Sequence, residues 1–160
     1  MNEEKEYDIT PNANRLINSL RSMGYELNTA VSDLIDNSIE AKATKIYVQL
    51  EMDHDGNVEF SIVDDGEGMS QDELRNAFTY GSNERTAPTL GKFGLGLKTS
   101  STAFARKLIV ASKCKKSDGF YSGYLDLDEM DAKWKIKISP ASDKYKNTIL
   151  NFSEKGTGTI

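Results

Sequence analysis

The 160-residue chain has one cysteine, Cys114, and one histidine, His54. A single cysteine closes no intrachain disulfide, and the two residues together cannot assemble a zinc site. A reducing cytoplasm suits such a chain. No apolar run approaches the roughly 20 residues that span a bilayer. The N-terminus, "MNEEKEYD", is acidic where a signal peptide starts basic and then turns apolar. The expectation is therefore a soluble cytoplasmic protein with no membrane partner. Positive charge is not in excess either: a formal net charge of −5 gives no electrostatic reason to expect nucleic acid as the default partner. Internal repeats and low-complexity segments are absent.

What is present, 38% hydrophobic and 28% charged residues, is the composition of a globular protein, and the length suits one domain over 1–160. Thr10 and Pro11 predict the start of a helix through "NANRLINSLRSM", with Leu16, Ile17, Leu20 and Met23 at helical spacing and Gly24 at its end. "ELNTAVSDLIDNSIEA" predicts a second helix. Leu27, Ala30, Val31, Leu34, Ile35 and Ala41 form its broad apolar side; Thr29, Asp33, Asn37 and Glu40 line the other. "TKIYVQLEM" and "NVEFSIV" predict strands joined by "DHDGN", whose Asp-Gly pair marks a hairpin turn that leaves His54 in solvent. That turn superficially resembles a calcium loop, but its glycine is out of register and the downstream glutamate is missing. "SQDELRNAF" predicts a short helix capped by Ser70.

From "TYGSNERTAPTL" to the glycine run, apolar periodicity vanishes, which marks a long loop fit to act as a lid. "KTSSTAFA" resumes as helix, and "KLIVASKC", "FYSGYLDL", "KWKIKIS" and "NTILNF" predict strands. In the third of these, Trp134, Ile136 and Ile138 would be buried and Lys133, Lys135 and Lys137 would face outward. Such lysines, with "KCKK", more often mark the wet face of an edge strand than a nucleic-acid strip. Helices, a hairpin, a glycine-rich loop, a helix and a run of strands suit a two-layer α+β sandwich better than βαβ units.

Three patterns carry chemistry. Asp33 and Asn37 lie four residues apart on one helix face, near Glu40. A carboxylate there can polarise a water and a carboxamide can offer oxygen to Mg²⁺, although a solvated helix face has the same look. Asp64 leaves a strand ahead of Gly66 and Gly68 in "VDDGEGM". That places an acceptor for an exocyclic amino group where a flat ligand can reach the backbone; an ordinary turn has the same residues. In "LGKFGLGLKTSS", Gly91, Gly94 and Gly96 precede a helix that begins near Leu97. Leu97 separates Gly96 from Lys98, which turns the lysine by about 100° and excludes a Walker A loop. Backbone N–H groups at the helix start, with Lys98, Thr99 and Ser100 nearby, still suit an anion. A flexible loop leading into a helix has the same form without a ligand.

In this order, D-x-x-x-N on a helix, D-x-G-x-G after a strand, G-x-x-G-x-G at a loop-to-helix junction and a terminal Gly-Thr, the set resembles the GHKL ATPases. These include gyrase-type topoisomerase subunits, heat-shock chaperones, histidine kinases and MutL proteins. The resemblance runs from the first helix to Ile160, and "AVSDLIDNSIEAKA" with "GKFGLGLKTSS" looks most like the MORC-like and MutL-like branch. It implies the Bergerat fold: a two-layer α/β sandwich with a mixed, mostly antiparallel sheet covered on one face by helices.

The same resemblance implies ATP and Mg²⁺, the metal held by Asn37. Asp33 would occupy the place of the water-activating acid, where many members have a glutamate one methylene longer. Asp64 would accept from the adenine amino group, and Gly66, Gly68 and Met69 would line the base pocket. Gly91, Lys92, Phe93, Gly94, Leu95, Gly96 and Leu97 would form the turn over the phosphates, with Lys98 and Thr99 close to them. Thr159 would stand near adenine, with Thr157 as its rival in "GTGT". A lid of about 78–96 would close on ATP and release ADP, with homodimerisation on nucleotide binding. A final strand and a transducer domain would follow "GTGTI", and nucleic acid or protein partners would act through such missing domains. A nucleotide-gated binding module with negligible hydrolysis is the alternative, and a histidine-kinase-type catalytic domain a weaker one.

Overall fold

The computed structural model describes residues 7, 12–22, 24, 26–79, 96–130 and 135–160. Helix α1 (Ala13–Arg21) opens where the Asn12 side chain accepts the Arg15 N–H at 3.0 Å, so Asn12 supplies the N-cap. Thr10, Pro11 and Met23 lie outside the described residues. Helix α2 (Leu27–Glu40) follows, and then strands β1 (Ile46–Met52) and β2 (Val58–Asp64). They pair antiparallel from Ile46 opposite Asp64 to Met52 opposite Val58. Asp53 organises the turn, its carboxylate accepting the N–H groups of Asp55 and Asn57, and His54 is exposed there as expected.

Helix α3 (Gln71–Phe78) starts in a full capping box: Ser70 accepts the Glu73 N–H, and the Glu73 carboxylate accepts the Ser70 N–H. Helix α4 (Gly96–Phe104) leads into β3 (Lys107–Lys113), β4 (Tyr121–Asp126) and β5 (Lys137–Pro140). Ile136 and Ile138 pack against the core while Lys135 and Lys137 are exposed, as the alternation predicts; Lys133 and Trp134 lie outside the described residues.

One segment differs from expectation. Asn147–Phe152, read as a strand from its Thr, Ile, Leu and Phe content, is the second half of helix α5 (Asp143–Phe152). Tyr145, Ile149 and Phe152 repeat at helical spacing, and Ile149 is fully buried while Leu150 is 44% exposed. Amphipathic periodicity outweighs the β-propensity of individual residues here.

Two residues, Gly158–Thr159, form β6, and the strand order is β1-β2-β6-β3-β4-β5. Every described pairing is antiparallel. The parallel minority expected of a mixed sheet is not found among the described residues. Period-two alternation puts Asp64, Thr159, Ser112, Val110, Gly123 and Leu125 on one face. On that face the core gathers Ile17 of α1, Leu74 and Phe78 of α3, Val110, Leu125 and Leu127. Helix α5 lies across the other face at the β1–β2 end, where Phe152 meets Tyr47 and Lys144 pairs with Glu59. The α+β layering is as expected, and α5 adds a helix behind it. No described helix is long and apolar enough to cross a membrane.

Candidate functional site

Asp64 ends β2 at the centre of the sheet and is 5% exposed. Two protein donors hydrogen-bond to it, and a third N–H lies near. Ser38, on the last turns of α2, donates its hydroxyl at 3.0 Å; the Gly66 N–H donates at 2.9 Å; and the Thr159 backbone N–H also favours the charged carboxylate. Burial nevertheless pushes the carboxyl above its ordinary value, because desolvation outweighs these donors. The next residue, Asp65, is held differently. It accepts the N–H and hydroxyl of Thr44 and the N–H of Lys45, which fastens the α2–β1 connection beside Asp64 and lowers its own pKa.

The glycines of the turn are set by crowding. A Cβ on Gly66 would lie 2.7 Å from the Ala41 carbonyl oxygen and 2.9 Å from Asp64 Oδ1. Gly68 has φ 66°, and its Cβ would fall 2.0 Å from the Lys113 carbonyl oxygen. This close approach brings the Met69 N–H within 2.8 Å of the Ser112 hydroxyl on β3. Ser112 in turn meets the Gly158 carbonyl at 3.0 Å and the Thr159 hydroxyl at 2.8 Å. Thr159 stands directly opposite Asp64 in the sheet, whereas Thr157 gives its hydroxyl to the Gly66 carbonyl at 2.9 Å.

On α2, Asp33 and Asn37 are half-buried, and both α2 and α4 border the same cavity as Asp64 and Thr159. The Ser100 hydroxyl of α4 donates to Asp33 Oδ2 at 3.0 Å. Asn37 Nδ2 is buried with no hydrogen-bond partner among the described residues. Leu97 packs against the core, and Thr99 is half-buried.

Lys98 is 1% exposed, with Nζ 2.5 Å from the Thr79 carbonyl at the end of α3; burial lowers its ammonium to about 8. It therefore ties α4 to the residue from which the expected lid departs. Most of that lid and the turn residues Gly91, Lys92, Phe93, Gly94 and Leu95 lie outside the described residues, while Gly96 opens α4.

The sequence reading missed Ser38, Asp65 and Ser112. A signal existed for Ser112: in "KLIVASK" it takes the place of a third apolar residue on the face of Leu108 and Val110, and a small polar residue at a buried position needs partners. Ser38 and Asp65 carried no comparable signal, since each adjoins a motif residue and its partner comes from a distant segment.

An antiparallel sheet that gathers the D-x-x-x-N helix, the D-x-G-x-G turn and a Gly-Thr strand around one cavity has the form of a GHKL-type nucleotide-binding domain. The chain belongs to the family of histidine kinase-, DNA gyrase B- and HSP90-like ATPases, whose model matches residues 25–159. It is 28% identical to Protein MICRORCHIDIA 4 of Arabidopsis thaliana, over 80% of this chain and 20% of that protein. It is 28% identical to ATPase morc-1 of Caenorhabditis elegans, over 61% of this chain and 11% of that protein. With DNA mismatch repair protein MutL of Shewanella frigidimarina it shares 26% identity, over 76% of this chain and 20% of that protein. The chain thus spans a fifth or less of the length of these relatives.

Proposed function

We propose that the chain binds ATP with Mg²⁺ and hydrolyses it to ADP and phosphate, with nucleotide driving lid closure and dimerisation coupled to domains outside it. The observation that carries the reading is Asp64. A carboxylate offers about four lone-pair sites, and two hydrogen bonds, from Ser38 and Gly66, occupy this one, so a buried acceptor keeps room for a further donor. An adenine amino group fits that vacancy, between a turn that admits no Cβ at Gly66 or Gly68 and the backbone of Met69.

The residues also suit Mg²⁺. Asn37 would hold it through its carboxamide oxygen, while Nδ2 of the same group, buried with no partner among the described residues, is a donor suited to an acceptor such as a phosphate oxygen. No group of three or more His, Cys, Asp or Glu among those residues is placed to hold a metal alone. Mg²⁺ keeps several waters and takes few protein ligands, so one carboxamide oxygen beside the phosphates would suffice as the protein's share. When bound, Mg²⁺ would neutralise charge that develops on the transferring phosphoryl group.

The chain's own residues do the rest. Asp64 would orient the base, and the start of α4 would offer backbone N–H groups of Leu97, Lys98 and Thr99 toward the phosphates, the Lys98 ammonium being tied to the Thr79 carbonyl. Asp33 accepts the proton of the attacking water as general base. In the intact protein, Asp33→Ala should keep nucleotide affinity while turnover falls about 10²–10⁴-fold, the usual worth of such a base. Undiminished hydrolysis in that variant refutes the assignment.

One contact favours a second reading, a nucleotide-gated binding module. Asp33 already holds the Ser100 hydroxyl, which draws its carboxylate toward α4. Single-turnover measurements separate the two, because a pure switch retains unhydrolysed ATP over many hours.

A further inference from the structure

We infer that Ser112 sets the base specificity of this site by fixing which way the Thr159 hydroxyl points; the inference rests on the ATP-binding reading above. A serine hydroxyl has one proton to donate and two lone pairs to accept with. Ser112 is fully buried and has three partners: the Met69 N–H at 2.8 Å, the Gly158 carbonyl at 3.0 Å and the Thr159 hydroxyl at 2.8 Å. The amide can only donate and the carbonyl can only accept. The proton of Ser112 therefore goes to Gly158, and one lone pair takes the Met69 N–H. What remains for Thr159 is the second lone pair, so Thr159 must be the donor in their contact.

With its proton committed to Ser112, the Thr159 side chain shows the cavity only lone pairs. Asp64, its direct partner across the β2–β6 pairing, is an acceptor too. This part of the cavity wall thus offers acceptors alone. A 6-amino purine brings N–H groups to it. A 6-oxo purine sets a carbonyl against the acceptor that faces position 6, and its N1–H can serve only one of the two acceptors, so one buried acceptor is left unpaired. Removal of the Ser112 hydroxyl frees the Thr159 proton to rotate toward a 6-oxo group. Ser112 is thus a positioning residue that acts through Thr159.

The test is the ratio of affinities for ATP and inosine triphosphate, measured by calorimetry on the 160-residue chain. Wild type should prefer ATP. Ser112→Ala should narrow the ratio by about tenfold, the worth of one neutral hydrogen bond. Thr159→Val should narrow it as well, and Ser112→Ala should then have no further effect on the ratio, since the two act in series. A purely structural serine would lower the melting temperature and both affinities together; an unchanged ratio in folded Ser112→Ala overturns the inference. Should that variant fail to fold, Thr159→Val at a half-buried position decides, and an unchanged ratio there is equally fatal. Wild type that binds neither nucleotide overturns the ATP-binding reading itself, a result distinct from a preference that survives loss of the hydroxyl.

Discussion

Replacement of Gly68 by alanine has two separable costs. With φ at 66° the backbone is left-handed, which costs a residue with a Cβ about 1–2 kcal/mol. The new Cβ would also stand 2.0 Å from the Lys113 carbonyl oxygen and 2.6 Å from its carbon, so backbone must move. Overpacking of that kind costs about 1–3 kcal/mol. The sum is about 2–5 kcal/mol, or about 4–20 °C in melting temperature for a domain of this size. Gly56 is an internal control: φ is 82° and nothing lies within 4 Å of its Cβ position, so only the first cost applies. Thermal unfolding by circular dichroism compares the two variants directly. Gly68→Ala should also weaken ATP binding, because a shift at Lys113 displaces Ser112 from Met69, whereas Gly56→Ala at the far hairpin turn should not. A Gly68→Ala protein that melts within about 2 °C of Gly56→Ala refutes the reasoning.

Other consequences follow from buried charge and packing. Burial raises the Asp64 pKa, and the amino group of adenine needs the carboxylate, so ATP affinity should fall with acidification at a pH above the ordinary aspartate value of 3.8. Asp64→Asn should remove that dependence along with most of the affinity, read by calorimetry across pH. For the fold alone the sign is opposite: a carboxyl with a raised pKa favours the folded state as pH falls through it. Lys98, lowered to about 8 from 10.5, makes the unfolded chain the better proton binder between those values, so stability relative to Lys98→Met should rise with pH across that window. Parallel melting curves there would count against a buried ammonium. Leu74→Ala, at a fully buried site, should cost about 2–5 kcal/mol in urea denaturation.

Elements whose sequence carries both a period and a stop signal were legible. Helix α3 has its serine cap, Glu73 and a buried Leu74, and the β1–β2 hairpin has its Asp-Gly turn. Helix α5 was not, because "NTIL" looks like a strand one residue at a time and the stripe of Tyr145, Ile149 and Phe152 appears only across the longer window. Of the residues that spacing singles out for the candidate site, Asn37, Asp64 and Thr159 border one cavity, and Asp33 lies one turn before Asn37 on α2. Their partners Ser38, Ser100 and Ser112 are single hydroxyls, and which carboxylate or amide each one meets is decided by tertiary packing.

Strand β6 has two residues, yet it stands between β2 and β3 and joins the β1–β2 hairpin to the β3–β5 half of the sheet. Asp64 and Thr159 meet although most of the chain separates them. A contact so distant in sequence closes a long loop, whose entropy is lost before any pairing rewards it. On the ribosome, each half of the sheet can form as a local unit while the seam between them waits for Gly158 to emerge. Until then the inner edges of β2 and β3 are open to strands of other chains. Because Asp64 lies on one side of that seam and Ser112 on the other, the candidate site is assembled only after β6 has been made.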